Sequence, residues 1–407
     1  MDNRFKSNTT DKDKGVKLVL FLITPVLSLI YSLRSLEKRS SIIYVFLFCI
    51  LLGLAFTVSD VRTFGSSDGV SYRALFEDYV NVSSADYMAQ AAEYFSFSND
   101  IKDFYADTIA FLVSRLTSNY HVFFFVIAVV FAFFQLKSLV FLTRSKNYIG
   151  DTVCLLLVFL FTYVSIKNIN GLRFWTAYWM ACFAILNFFL NKKYRALLLL
   201  AALPFVHGSY VVLWIIVVLY LTTNRFEKVW SVLLIVSLFV GNMSLALVQD
   251  SASYLPLFLS RYVDSYASSE AVASVGSGAS GFYMLDRIFP VIVNIYLFIM
   301  LWLVIKERDT ITSLRIRNLL VFTIILVSFS NFMMPVPSLG GRFMILSYPF
   351  IAYLWLEVIG TTKYKTYIYF MPLVFFMAIY HLIQAYWENV DKFFYISSPI
   401  IDLIRFL

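Results

Sequence analysis

Residues 195–221 read RALLLLAALPFVHGSYVVLWIIVVLYL, twenty-seven positions in which the only ionisable side chains are Arg195, His207, Tyr210 and Tyr220. Basic loops flank the stretch on both sides, with Lys192, Lys193 and Arg195 before it and Arg225 and Lys228 after it. About twenty apolar residues cross a bilayer as a helix, so this segment is long enough to span one. Pro204 and Gly208 sit at its middle, where each opposes a continuous helix. Basic residues concentrate in the cytoplasmic loops of membrane proteins. If both flanks are cytoplasmic, the segment enters and returns as two short helices meeting near His207. The alternative, one uninterrupted span, stays open at this point.

The same texture extends through the chain. Of 407 residues, 60% are hydrophobic and 19% aromatic, and the mean hydropathy is +0.77. A soluble core cannot absorb that much apolar surface, and the apolar runs lack the alternation of barrel strands. The fold class read from this is an all-α polytopic integral membrane protein. Expected spans cover 16–33, 41–59, 120–142, 151–166, 172–190, 195–221, 226–248, 285–305, 317–336, 342–360 and 366–385, and counting 195–221 as a pair makes about twelve helical segments. The apolar run after the polar N-terminus lacks a small-residue cleavage site, so it is expected to be a retained first span. The net charge of +8 lies largely in short loops and reads as topology, with no nucleic-acid partner.

Those loops (34–39, 144–146, 191–195, 225–228, 306–317 and 363–365) are expected in the cytoplasm. The two long connections, 60–119 and 249–284, then face outward. The first carries nine acidic against four basic residues. The N-terminal tail, five basic against three acidic residues, fits this orientation poorly. Residues 1–407 read as one membrane domain with two extracytoplasmic loops. Within the first loop, the pattern of Phe104, Ile109, Phe111, Leu112 and Leu116 suits a helix lying on the membrane surface.

Chemistry concentrates in three interruptions of the apolar text. Arg173 follows Asn170-Gly171-Leu172 at the start of a span, and Arg342 follows Gly340-Gly341 at another. His207 lies between Val206 and Gly208. An arginine at a helix centre costs about 2.5–3.5 kcal/mol on insertion scales, so residues kept there line polar cavities or snorkel to the interface. Near the outer end of the second span, Arg62, Gly65, Asp68 and Tyr72 follow within eleven residues. Two glycines before Arg342 also suit close approach of an anion to backbone N–H groups. His121 and His381 read as structural, and Cys49, Cys154 and Cys182 as packing residues, not a disulfide framework or metal cluster. Asp286-Arg287 suits an ion pair, and Arg261, Tyr262, Asp264 and Tyr266 resemble a sugar-contacting surface in composition alone. No HExxH, paired CxxC, P-loop or GxGxxG occurs, which argues against soluble-type zinc, nucleotide and dinucleotide sites.

The order Arg62, Gly65, Asp68, Tyr72, then Gly171-Leu172-Arg173, then Leu203-Pro204-Phe205-Val206-His207-Gly208-Ser209, then Arg342 and Tyr348, resembles the EpsG-type, Wzy-like bacterial polysaccharide polymerases. The resemblance spans most of the chain, and its specificity lies in the combination of short motifs. One departure is Phe174, where the family often places Gln after the arginine. The resemblance implies a GT-C-like, metal-independent, inverting glycosyltransferase without a cofactor. Such an enzyme transfers a growing O-antigen or exopolysaccharide chain from undecaprenyl pyrophosphate to a lipid-linked repeat unit. It works in the bacterial inner membrane, with its active site on the extracytoplasmic side. Expected partners are the lipid-linked donor and acceptor and the bilayer, with a chain-length regulator as a candidate.

The chemistry expected of the residues agrees with this. Guanidinium groups fork onto phosphate oxygens, which suits Arg173 and Arg342, with Arg62 assisting. His207, or else Asp68, takes the proton of the attacking hydroxyl. Tyr72, Trp175 and Tyr348 are candidate sugar contacts. An O-antigen ligase, a transferase using polyprenyl monophosphate sugars and a lipid-oligosaccharide flippase are the alternatives. The absence of an internal repeat speaks against the flippase.

Overall fold

The computed structural model describes residues 13–60, 68–96, 104–144, 150–240, 247, 249–250, 254, 283–336, 339–360, 363–371 and 390–407. The described chain is helical, and its sole β feature is an isolated bridge between Phe56 and Val390. Five helical stretches among these residues, some interrupted by a 3-10 turn, are long and apolar enough to cross a membrane. They are Tyr120–Leu139, Val153–Asn191, Gly208–Val236, Ile288–Lys306 and Leu314–Phe332. The protein is therefore an all-helical membrane protein.

The expected first span is two helices, α1 (Lys14–Ile23) and α2 (Pro25–Leu33). Pro25 cannot continue the hydrogen-bond ladder. Thr24 is extended, and its hydroxyl accepts from Val26 N–H as an N-cap. Next, α3 (Arg39–Leu54) packs on α7 (Tyr120–Leu139). A Cβ on Gly53 would stand 2.3 Å from Ala128 Cβ, so small residues let these two backbones approach.

Between them lie α4 (Asp68–Tyr79), α5 (Ser84–Phe95) and α6 (Tyr105–Ser114). These helices are knit to one another. Tyr87 stacks on Phe111 with centroids 4.0 Å apart, and Tyr94 stacks on Phe104 at 5.3 Å. Phe104 and Phe111 are buried in that stack, so the expectation that they lie on the membrane surface is corrected. Leu112 and Leu116 are exposed.

The core continues through α8 (Gly150–Tyr163) and α9 (Leu172–Asn191), joined by a 3-10 turn at Ile166–Gly171. The Val164 carbonyl left over at this break accepts from Gln135 Nε2 at 2.9 Å and Trp179 Nε1 at 3.2 Å. Buried donors thus hold the turn that carries Asn170 and Gly171 into place.

The stretch 195–221 is broken at His207 into α10 (Ala196–Val206) and α11 (Val211–Thr223). Pro204 lacks an N–H, which frees the Leu200 carbonyl four residues back. Trp214 Nε1 donates to that carbonyl at 2.8 Å. A straight helix would hold residues 200 and 214 about 21 Å apart. The segment therefore folds back on itself as a hairpin with His207 at its tip. Phe104 N–H donates to the Phe205 carbonyl, which ties α6 to that tip.

The remaining helices are α12 (Glu227–Val236), α13 (Tyr283–Lys306), α14 (Leu314–Phe332), α15 (Gly340–Val358) and the short α16 (Pro399–Phe406). Most of the second long connection, the last span beyond Met371, and His381 lie outside the described residues. So do Arg261, Tyr262, Asp264, Tyr266 and the side chains of Asp286 and Arg287. Cys49 and Cys182 are buried and Cys154 is half-buried, and none of the three forms a disulfide among the described residues. His121 hydrogen-bonds through Nδ1 to the Leu54 carbonyl at 2.8 Å.

The bundle has two chemically different ends. Arg315 donates to the Leu190 carbonyl at 2.9 Å, and Arg317 pairs with Glu227 at 2.9 Å. These contacts gather the end of α9 and the starts of α12 and α14 into one basic end. Twenty residues of α9 span about 30 Å, and they carry Arg173 to the opposite end. Because α14 starts at the basic end and α15 starts where α14 finishes, Arg342 lies at that opposite end too.

Candidate functional site

Phe174 is the hub of the opposite end. It is 4% exposed, and the Arg342 guanidinium carbon sits 5.0 Å from its ring centroid. The His207 ring meets the same phenyl edge-on at 5.3 Å, and Tyr210 packs at 5.2 Å. Tyr210 also donates its hydroxyl to the Phe174 carbonyl. The helix start of α15 and the hairpin tip thus converge on one ring of α9. Among the described residues, no side chain or carbonyl accepts a hydrogen bond from half-buried Arg342, and its one ring contact is Phe174.

Arg173 occupies the adjoining face of α9. Its Nε donates to the Tyr72 hydroxyl at 2.8 Å, and its guanidinium lies over the Tyr72 ring at 5.5 Å. Tyr72 is buried, so it positions the arginine and does not form an open sugar platform. Asn170 Oδ1 accepts from Gly69 N–H at 2.9 Å, docking the start of α4 onto the 3-10 turn. A Cβ on Gly69 would meet Asn170 Oδ1 at 2.5 Å, so this close approach requires glycine. Asp68 is thereby brought beside Gly171: its Oδ2 lies 3.9 Å from the point where a Gly171 Cβ would stand, and Trp175 Nε1 lies 3.2 Å from that point.

His207 is buried at 7% exposure. Its Nδ1 accepts from Ser209 N–H at 3.3 Å and lies 2.8 Å from Ser209 Oγ. A backbone N–H can only donate, so Nδ1 is the unprotonated nitrogen and the neutral ring carries its proton on Nε2. In this arrangement Nε2 carries the only N–H of the neutral ring.

The expected residues fall into three groups. Arg342 and His207 meet on Phe174, while Arg173 and Tyr72 pair alongside. Asp68 and Trp175 flank Gly171. Tyr348 is not brought to the group: it is buried at 1% exposure, packs against Phe159 and Tyr163, and donates its hydroxyl to Asn294. Arg62 lies outside the described residues. The two glycines before Arg342 do different work from that expected. A Cβ on Gly340 would stand 2.4 Å from the Met333 carbonyl carbon, whereas Gly341 faces open space. Gly340 lets α15 start against the end of α14, and Gly341 alone stays open to an approaching anion.

Sequence reasoning missed Asp107. Its Oδ1 accepts from the Tyr79 hydroxyl at 3.0 Å, and Arg173 acts on its charge. Burial raises the Asp107 carboxyl above its ordinary value, partly offset by the Tyr79 hydrogen bond and Arg173. No local signal marked it, because its partners come from α4 and α9. The hub role of Phe174 was equally hidden; the sequence shows there only the loss of a polar neighbour. Among the described residues, no group of three His, Cys, Asp or Glu side chains is placed to hold a metal ion.

Residues 42–394 match the EpsG family. The chain belongs to the EpsG family. That is a family of Wzy-like polysaccharide polymerases, and the matched residues contain Asp68, Arg173, His207 and Arg342. No curated protein and no solved structure matches the chain. EpsG membership and the apolar helices together make it a membrane protein of the polysaccharide-polymerase kind.

Proposed function

We propose that this EpsG-family protein transfers a growing glycan from undecaprenyl pyrophosphate to a lipid-linked repeat unit. The reaction takes place at the outer face of the bacterial cytoplasmic membrane, in a GT-C-like arrangement. The observation that carries this reading is Arg342. A half-buried guanidinium packed on Phe174, with no acceptor among the described residues, is placed to receive an anion at the end of an apolar bundle. Arg173 stands on the adjoining face of α9. The positive-inside rule sets the basic end in the cytoplasm and this group outside.

In the proposed step, the acceptor hydroxyl oxygen attacks the anomeric carbon of the donor from the face opposite the pyrophosphate. The bond from that carbon to the phosphate oxygen breaks, and its electron pair leaves with the pyrophosphate. Arg342 and Arg173 stabilise the developing charge. The His207 Nε2–H adds a neutral donor to the same oxygens. The hydroxyl proton passes to the Asp68 carboxylate, because the Ser209 hydrogen bond directs His207 to donate. The step draws on no nucleotide sugar, cofactor or metal. A chain-length regulator is a candidate partner for the outer helices.

The test replaces Arg173, His207 and Arg342 singly by Ala in a producing strain, with membrane insertion checked by immunoblot. Loss of long glycan is expected in each variant. Normal polymer from all three inserted variants overturns the assignment.

A further inference from the structure

On the far side of Trp175 from the Phe174 hub, a cleft of about 230 Å³ opens between α8, the 3-10 turn, α9, α13 and α15. Its polar wall carries Ser165, Lys167, Asn168 and Trp175, and its apolar wall includes Pro290 and Val293. Ser165 is the informative member. Its hydroxyl is buried, the residue is 1% exposed, and no group among the described residues hydrogen-bonds to it. An unpaired buried hydroxyl costs stability, and this one belongs to a residue in the wall of the cleft.

We propose that this cleft is the acceptor subsite and holds one pyranose ring of the incoming repeat unit. The inference rests on the polymerase reading above and adds which side of α9 takes which substrate. A flat indole against one face of a ring, with a hydroxyl, an amide and an ammonium around its edge, matches a sugar's apolar face and its rim of hydroxyls. Ser165 both donates and accepts, so a sugar hydroxyl satisfies it as an aliphatic lipid chain cannot. The location separates the two substrates. Arg342 and His207 gather on Phe174, where the donor's pyrophosphate is proposed. Trp175 turns to the cleft, and its Nε1 borders the same space beside Gly171 as Asp68 Oδ2. A ring stacked on Trp175 therefore presents its hydroxyl edge to the Asp68 carboxylate, the proposed proton acceptor.

The test uses the full-length protein in nanodiscs. Lipid-linked single repeats, extracted from a strain lacking this gene, serve as donor. The soluble repeat oligosaccharide, released from its lipid by mild acid, serves as acceptor. Ser165→Ala is expected to keep or raise the thermal unfolding midpoint, since it removes an unsatisfied hydroxyl. It should raise the acceptor KM about fivefold, the loss of one hydrogen bond, and leave the donor KM unchanged. Trp175→Ala should raise the acceptor KM further, with Trp175→Phe partly restoring it. Saturation-transfer NMR of the soluble oligosaccharide reads binding without turnover, and its signal should fall in Trp175→Ala. Unchanged acceptor KM and NMR signal in both variants, or a rise in donor KM alone, overturns the subsite. A wild-type protein that joins no two repeats refutes the polymerase reading instead, whatever the cleft binds.

Discussion

Replacing Arg342 by Ala separates a structural arginine from one that holds substrate. Among the described residues its one ring contact is Phe174, 5.0 Å from the guanidinium carbon. A partly exposed cation–π contact is worth about 0.5–1 kcal/mol. No hydrogen-bond acceptor among the described residues is orphaned by its removal, so the folding penalty stays near that figure. The catalytic penalty is much larger. Deleting one preorganised donor to a developing oxyanion costs about 2.7–4 kcal/mol, or about 10²–10³ in rate. Arg342→Lys keeps the charge but loses the fork; forfeiting one charge-assisted hydrogen bond at about 1.5 kcal/mol slows turnover about tenfold. The assay is polymer formed per unit of inserted protein, read beside the thermal unfolding midpoint of the purified variants. Near-normal polymer with Arg342→Ala refutes the phosphate-binding role. A variant that fails to fold refutes the claim that Arg342 is structurally dispensable.

Further predictions follow from neighbouring geometry. Gly340→Ala should displace the start of α15, because its Cβ would stand 2.4 Å from Met333 backbone, and should lower both stability and activity. Gly341→Ala, facing open space, should insert and unfold like wild type. Tyr72→Phe removes the hydroxyl that accepts from Arg173; a loss of about 1 kcal/mol predicts activity down about fivefold with insertion unchanged. Asp107 has a folded-state pKa raised by burial, so the folded protein holds that proton more tightly than the unfolded chain. Stability tied to this group is greatest at low pH and is lost as pH rises from the ordinary carboxylate value through the raised one. Asp107→Asn should therefore unfold at a higher temperature than wild type at pH 7 and converge with it near pH 4; a less stable variant at pH 7 would reverse that sign.

Legibility in the sequence followed the range of the interactions. The long spans were readable because twenty apolar residues have one economical environment. The break at His207 was readable because Pro204 and Gly208 act locally. The break at Thr24 carried an equally local signal, a Thr N-cap before a Pro, which the apolar run around it masked. The alliance of Asp68, Arg173, His207 and Arg342 followed from loop charge and helix direction, which place all four at one end. Which ring joins them did not, since Phe174 draws its neighbours from the hairpin tip between α10 and α11 and from α15. The stacked helices of the first connection were misjudged for the same reason: an amphipathic face looks alike whether it meets lipid or Tyr87. Ser165 sat unnoticed because a buried hydroxyl without a partner is visible only when its neighbours are.

The most direct test of the polymerase account is the product made by the purified protein from a single lipid-linked repeat unit. The account predicts a ladder of glycans lengthening by whole repeats, lost in Arg342→Ala. A single addition that never extends, or no joined product at all, contradicts it.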